Sequence, residues 1–78
     1  MEKEEFLKRL GEQIQKIRKE KGISQTELAN RCYKDKQAME RIENAKINTS
    51  VYQLYEISKA LDIQISKLLE FDTTNQKK

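Results

Sequence analysis

Two short helical patterns, separated by about three residues, fill the segment from Ser24 to Lys46. In the second pattern, the apolar residues recur at the spacing of one helix face: Ala38, Met39 and Ile42. With about 100° of rotation per residue, a separate arc of roughly 140° is polar. It contains Lys36, Gln37, Glu40, Arg41 and Asn44. A helix this short and two-faced needs a core along its apolar side, so the chain is constrained to a small helical domain.

The composition agrees with a small all-α protein. Hydrophobic residues make up 36% and charged residues 37% of the 78 residues, with no proline and only two glycines. This length suits one domain, residues 1–78, rather than two. No apolar run approaches the roughly 20 residues that span a bilayer, and the first residues are charged where a signal peptide is apolar. We therefore expect a cytoplasmic protein with no membrane partner.

The residue types argue against an enzyme. The chain has no histidine and a single cysteine, Cys32, which excludes an internal disulfide and any metal site built on paired thiolates. No glycine-rich phosphate loop or cluster of carboxylates on one helix face is visible. We expect no metal, no cofactor and no catalysis. The net charge of +3 permits a nucleic-acid partner without establishing one.

Five helices are predicted, and the first two are marked by periodicity and capping. The first has an apolar stripe at spacings of four, four and three residues: Phe6, Leu10, Ile14 and Ile17. Gly22 supplies its stop. The second begins at Ser24, where Ser24 and Glu27 form the pattern of a capping box. Leu28 and Ala29 are its inward residues.

The remaining helices follow from similar signals. Asp35 is a good N-cap for the third helix, and Ser50 with Gln53 forms a second capping-box pattern at the start of the fourth. The fourth helix is predicted to face inward through Val51, Leu54, Ile57, Ser58 and Leu61. A short fifth helix is predicted over about 65–71. The polar segment 72–78 lacks an apolar anchor and is predicted to be frayed.

The polar face of the third helix has the chemistry needed to contact DNA bases. Glutamine can bond bidentately to adenine, arginine or lysine to guanine, and glutamate can accept from cytosine. Lys36 and Gln37 lie in the first turn, the part of such a helix that reaches deepest into a major groove. An ordinary solvated helix face is the alternative, and charge alone favours it.

The order of several segments carries a family resemblance. LGEQIQKIRKEKGISQTELA, DKQAMERIENAK and VYQLYEISKALDIQISKLL together resemble the Cro and phage-repressor type of helix-turn-helix domain, the XRE family. The resemblance covers about residues 7–71. It implies a compact five-helix domain with a helix-turn-helix motif over about 24–44, whose third helix recognises double-stranded DNA. It also implies a transcriptional regulator.

The resemblance assigns roles to individual residues. It implies base contacts by Lys36, Gln37 and Arg41, with Glu40 a weaker candidate. It implies phosphate contacts by Gln25, Asn44 and Lys46. Phosphate contacts fix the register on DNA and supply affinity, whereas base contacts supply sequence preference.

Two further residues are expected to act structurally. Arg18 and Glu43 lie just beside the apolar stripes of the first and third helices. The resemblance implies that they form a buried or half-buried ion pair that ties these helices together, so they are not expected to contact DNA.

The chain departs from the family pattern where glycines usually follow helices. Tyr33 stands in the turn of the motif, Ala45 follows the third helix, and Asp62 follows the fourth. Thr49 replaces a usual proline. A side chain at positive φ carries a steric cost that glycine avoids, so the geometry of the Tyr33 turn and of the 45–49 loop stays open.

A single module buries only about 600–1,000 Å² on DNA, which rarely gives enough specificity. A homodimer on a pseudo-palindromic operator is therefore predicted, with recognition helices about 34–36 Å apart. Tyr55 is expected at the edge of the core, and Tyr52 with Leu69 or Phe71 is a candidate dimer contact. No small-molecule ligand is expected, since the length leaves no separate effector domain.

Several functions remain open at this point. A repressor, a restriction-modification controller and an antitoxin share this pattern, and the operator sequence and the sign of regulation are not readable. A protein-interaction module that keeps the fold without binding DNA is the alternative from another class. In that case Lys36, Gln37 and Arg41 would be dispensable.

Overall fold

The chain folds into five helices in a computed structural model that describes residues 1–74. They are α1 (Lys3–Glu20), α2 (Gln25–Arg31), α3 (Lys36–Glu43), α4 (Val51–Leu61) and α5 (Ile65–Leu68). No strand occurs within those residues, which confirms the all-α, five-helix prediction. The end of the predicted frayed tail, residues 75–78, lies outside the described residues. No helix in the described range is long and apolar enough to cross a membrane.

All five helices contribute to one core. Its fully buried large side chains are Ile14, Leu28, Met39, Ile57, Leu61 and Leu68. The prediction for Val51 was wrong, because its side chain is 74% exposed. Val51 is the first residue of α4, and the core-facing stripe begins one turn later, at Leu54.

The surface apolar residues also differ from expectation. Tyr55 is 46% exposed instead of packing at the core edge, and Lys59 Nζ lies 5.7 Å from its ring centroid. Helix α5 ends at Leu68, so the predicted extension to residue 71 was wrong. Phe71 turns back onto α1, where its ring centroid lies 5.5 Å from that of Phe6. This contact leaves Phe71 half-buried.

Three helices begin at the side-chain caps expected from the sequence: Ser24, Asp35 and Ser50. The box between Ser50 and Gln53 is complete, with bonds of 3.1 and 3.0 Å in the two directions. At Ser24 only half of the predicted box forms. Ser24 Oγ accepts from the Glu27 backbone, but the Glu27 carboxylate accepts from Arg31 at 2.7 Å. A charged donor one turn away outcompetes a neutral backbone N–H.

Four helices end at a left-handed residue, and only one of these residues is glycine. The φ angles are 69° at Gly22, 58° at Tyr33, 61° at Ala45 and 59° at Asp62. In each turn the backbone N–H of the next residue donates back to a carbonyl five positions earlier, the Schellman arrangement. Three of these four turns are therefore formed without glycine, at a steric cost of about 1–2 kcal/mol at Tyr33 and Ala45 and less at Asp62, because aspartate adopts this conformation more readily.

Helix α1 approaches α3 closely at one glycine. A Cβ added to Gly11 would collide with the backbone carbonyl oxygen of Glu43 and lie 2.9 Å from the carbonyl carbon. Only a residue without a side chain fits there. Gly11 therefore sets the distance between α1 and the C-terminal end of α3.

Candidate nucleic-acid interface

Helix α3 separates its residues into two faces, as its periodicity predicts. Met39, Ile42 and Glu43 are at most 2% exposed and face the other helices. On the opposite side, three residues are exposed: Lys36, Gln37 and Arg41. Their side chains make no hydrogen bond or ion pair with any other residue in the range 1–74. Their donors and acceptors are thus available to a partner.

A buried ion pair fixes the inward end of α3. Arg18 Nε donates to Glu43 Oε2 at 2.8 Å, and Arg18 Nη2 donates to Glu43 Oε1 at 3.0 Å. The two side chains are 10% and 1% exposed. Arg18 Nη1 also donates to the carbonyl of Ile23, at 3.0 Å. This bidentate pair is the one that the resemblance implies, and it ties α3 to α1 with fixed geometry.

Sequence reasoning missed the rest of the network around Glu43. Gln15 Nε2 donates to the Glu43 backbone carbonyl at 3.0 Å. Gly11, Gln15 and Arg18 therefore form one stripe of α1, with spacings of four and three residues, that meets Glu43. The non-apolar periodicity of that stripe is the signal that could have found it. Among the described residues, no buried side-chain polar atom lacks a hydrogen-bond partner.

Gln25, a predicted phosphate contact, is part of the same network. Its amide nitrogen donates to Glu43 Oε1 at 3.0 Å, and the side chain is half-buried. One N–H and the amide oxygen remain for another partner. The structure thus places Gln25 between the buried ion pair and the surface.

Three other predicted contact residues form a cluster of their own at the C-terminal end of α3. Asn44 Nδ2 donates to Glu40 Oε2 at 2.9 Å and to the Glu40 backbone carbonyl at 3.0 Å. Lys46 Nζ lies 3.3 Å from the same carboxylate oxygen. The acidic residue therefore holds both neighbouring donors. Glu40 therefore has partners within the protein, whereas Lys36, Gln37 and Arg41 have none among the described residues.

The groups with shifted pKa lie away from this face. Burial raises the pKa of the Cys32 thiol, opposed by the nearby Lys34 ammonium, so the thiol stays neutral at neutral pH. Cys32 Sγ lies 3.8 Å from the carbonyl of Glu56. In the exposed segment after α5, hydrogen bonds from Thr74 lower the pKa of Asp72. No group of three or more metal-ligating side chains occurs in the described part of the chain.

Helices α2 and α3 are held to a core, and they present unpaired amide and cationic groups. This arrangement defines a class of protein, the DNA-binding transcriptional regulators with a helix-turn-helix. A family model described as helix-turn-helix matches residues 14–68, and the chain belongs to that family. This confirms the resemblance drawn from the sequence.

Solved structures agree. The chain is similar to the restriction-modification controller protein C.AhdI from Aeromonas hydrophila, with a TM-score of 0.77 and 29% identity over 80% of this chain and 94% of that one. It shares its fold with the clp gene regulator ClgR from C. glutamicum, with a TM-score of 0.79 and 22% identity over 82% and 83% of the two chains. No curated protein matches it in sequence.

Proposed function

We propose that this protein binds a specific double-stranded DNA sequence as a homodimer and regulates transcription from a pseudo-palindromic operator. The observation that carries the proposal is the outward face of α3. Lys36, Gln37 and Arg41 project from a helix whose opposite side is locked by the Arg18–Glu43 pair. A rigid helix with unsatisfied donors suits a major groove, because its side chains arrive already oriented.

The roles of the residues follow from their positions. Lys36 and Gln37 lie in the first turn of α3 and reach deepest, with Arg41 one turn further along the same face. These three are the proposed base contacts. Gln25, Asn44 and Lys46 are the proposed phosphate contacts, which fix the orientation of α3 and supply salt-dependent affinity.

Dimerisation is proposed because one module of this size gives limited discrimination on its own. A second copy would also cover large apolar side chains on the surface. Tyr52 is 66% exposed and Leu69 is 41% exposed.

Among small regulators, the likeness to C.AhdI favours the restriction-modification controller or repressor type, because it extends over 94% of that chain. We propose a cytoplasmic protein without catalytic activity, cofactor or small-molecule ligand.

Selection of bound duplexes from a random DNA pool tests the proposal directly. One palindromic sequence should be enriched, and sedimentation should show two chains on it. Lys36→Ala should then weaken binding to that sequence, whereas Lys16→Ala is the matched control, since Lys16 is an exposed lysine in the groove between α1 and α5.

Two results would contradict it. A pool that yields no preferred sequence would refute specific recognition and favour a protein-interaction module. A chain that stays monomeric at high micromolar concentration and on the selected duplex would refute the dimer.

A further inference from the structure

Glu40 is the one acidic side chain on the outward part of α3, and its carboxylate contacts two neighbouring side chains. Its Oε2 atom accepts from Asn44 at 2.9 Å and lies 3.3 Å from the Lys46 ammonium. The Glu40 side chain is 40% exposed and that of Lys46 is 61% exposed, so the cluster is open to a ligand from solvent.

These contacts occupy donors that would otherwise face DNA. The Asn44 amide nitrogen is directed at two oxygens of Glu40, and the charge of Lys46 is balanced by the carboxylate. A phosphate can recruit either donor only by drawing it away from Glu40. The phosphate then lies near the Glu40 carboxylate, whose charge is no longer compensated, and like charges at short range repel.

The Coulombic part of this cost is the same for every duplex, because phosphates carry no sequence information. Whether this cost is recovered, however, depends on the sequence of the duplex. A carboxylate can accept from the exocyclic amine of cytosine or adenine in the major groove, whereas the oxygens of guanine and thymine repel it. A base pair that presents an amine at this position therefore replaces the partners that Glu40 gives up.

We propose that Glu40 is a specificity-determining residue. It withholds Asn44 and Lys46 from the backbone of any duplex that does not offer its carboxylate a base-edge donor. This inference rests on the proposed DNA binding and adds to it a penalty against the wrong sequences.

The test uses Glu40→Gln, which removes the charge and keeps an oxygen that can accept from Asn44. Binding is measured by fluorescence anisotropy over a series of salt concentrations. One probe is the strongest duplex from the random pool, and the other is a scrambled duplex of the same composition. The matched control is Glu70→Gln, because Glu70 Oε1 also pairs with an exposed lysine, Lys67, at 3.6 Å.

Glu40→Gln should strengthen binding to the scrambled duplex roughly two- to fivefold and steepen its salt dependence by about one ion, since Lys46 is released. Glu70→Gln should change it by less than about twofold. The affinity ratio between the selected and scrambled duplexes should fall for Glu40→Gln only. Adding Lys46→Ala should abolish the gain on the scrambled duplex.

Equal effects of Glu40→Gln and Glu70→Gln would overturn the proposal, as would an equal gain on both duplexes, which net charge alone explains. Glu40→Ala must reproduce the direction of Glu40→Gln, and thermal unfolding checks that both variants fold. If the unaltered protein binds neither duplex, the proposed function itself fails. If it binds the selected duplex and Glu40→Gln behaves as the control, only this inference fails.

Discussion

The inward end of α3 places Glu43 against Arg18 and Gln25, whereas its outward face leaves Lys36 and Arg41 in solvent. Both regions contain charged side chains on the same eight-residue helix. At the inward end every charge has a partner at fixed distance, so its contribution is to the fold. On the outward face Lys36 and Arg41 have no partner among the described residues, so their charges are available to a ligand. The two regions differ in whether their charged side chains have partners within the protein, since the residue types alone do not distinguish them.

Among the substitutions that test this difference, Glu43→Ala has the largest expected effect. It would leave the Arg18 guanidinium buried without its carboxylate, at an expected cost of about 3–5 kcal/mol in the free energy of unfolding. Urea denaturation measures it. The control is the double variant Arg18→Met with Glu43→Met, which removes both charges and should recover most of the loss. A single variant that costs less than about 1 kcal/mol would mean that the Arg18 guanidinium is not held away from water.

The next effect comes from the α1 side of the same contact. Gly11→Ala should lower the free energy of unfolding by about 1–3 kcal/mol, because its Cβ would collide with the Glu43 backbone. Alanine is otherwise the better helix former by about 1 kcal/mol, so the sign of the change identifies the close approach. Glu12→Ala, at the neighbouring exposed position, should be nearly neutral. A stabilised Gly11→Ala protein would show that the two helices have room to separate.

On the outward face the expected pattern reverses. Arg41→Ala should weaken binding to the selected duplex by about 1–3 kcal/mol and relax its sequence preference, while the free energy of unfolding stays nearly unchanged. Anisotropy titrations and urea denaturation of the same sample separate the two quantities. Lys16→Ala serves as the control. Unaltered discrimination between duplexes would remove Arg41 from the base contacts.

The sequence was informative where one interaction dominates. Ser50 and Asp35 cap their helices as predicted, since a short polar side chain before an apolar repeat has few competing uses. It failed where several partners lie within reach. Glu27 bonds Arg31 rather than the backbone, because the same carboxylate lies at capping-box spacing from Ser24 and at i,i+4 spacing from Arg31, and the charged donor is the stronger one.

The Glu40 cluster lay beyond sequence reasoning for a further reason. Lys46 reaches Glu40 across the left-handed turn at Ala45, so the contact depends on a backbone angle that alanine rarely adopts. Similarly, the position of Gln25 beside Glu43 depends on how α2 meets α3. Periodicity places each residue on a face but does not fix the distances between helices.

The smallest predicted effect concerns that turn. Ala45→Gly should raise the free energy of unfolding by about 1 kcal/mol, because glycine adopts the φ of 61° found here without a Cβ clash. Ala38→Gly is the same substitution inside α3 and should destabilise by a similar amount. Thermal and urea unfolding give both values. Opposite signs would establish that Ala45 is left-handed in solution. If both variants are destabilised, the turn has another shape, and the Glu40–Lys46 contact that spans it loses its geometric basis.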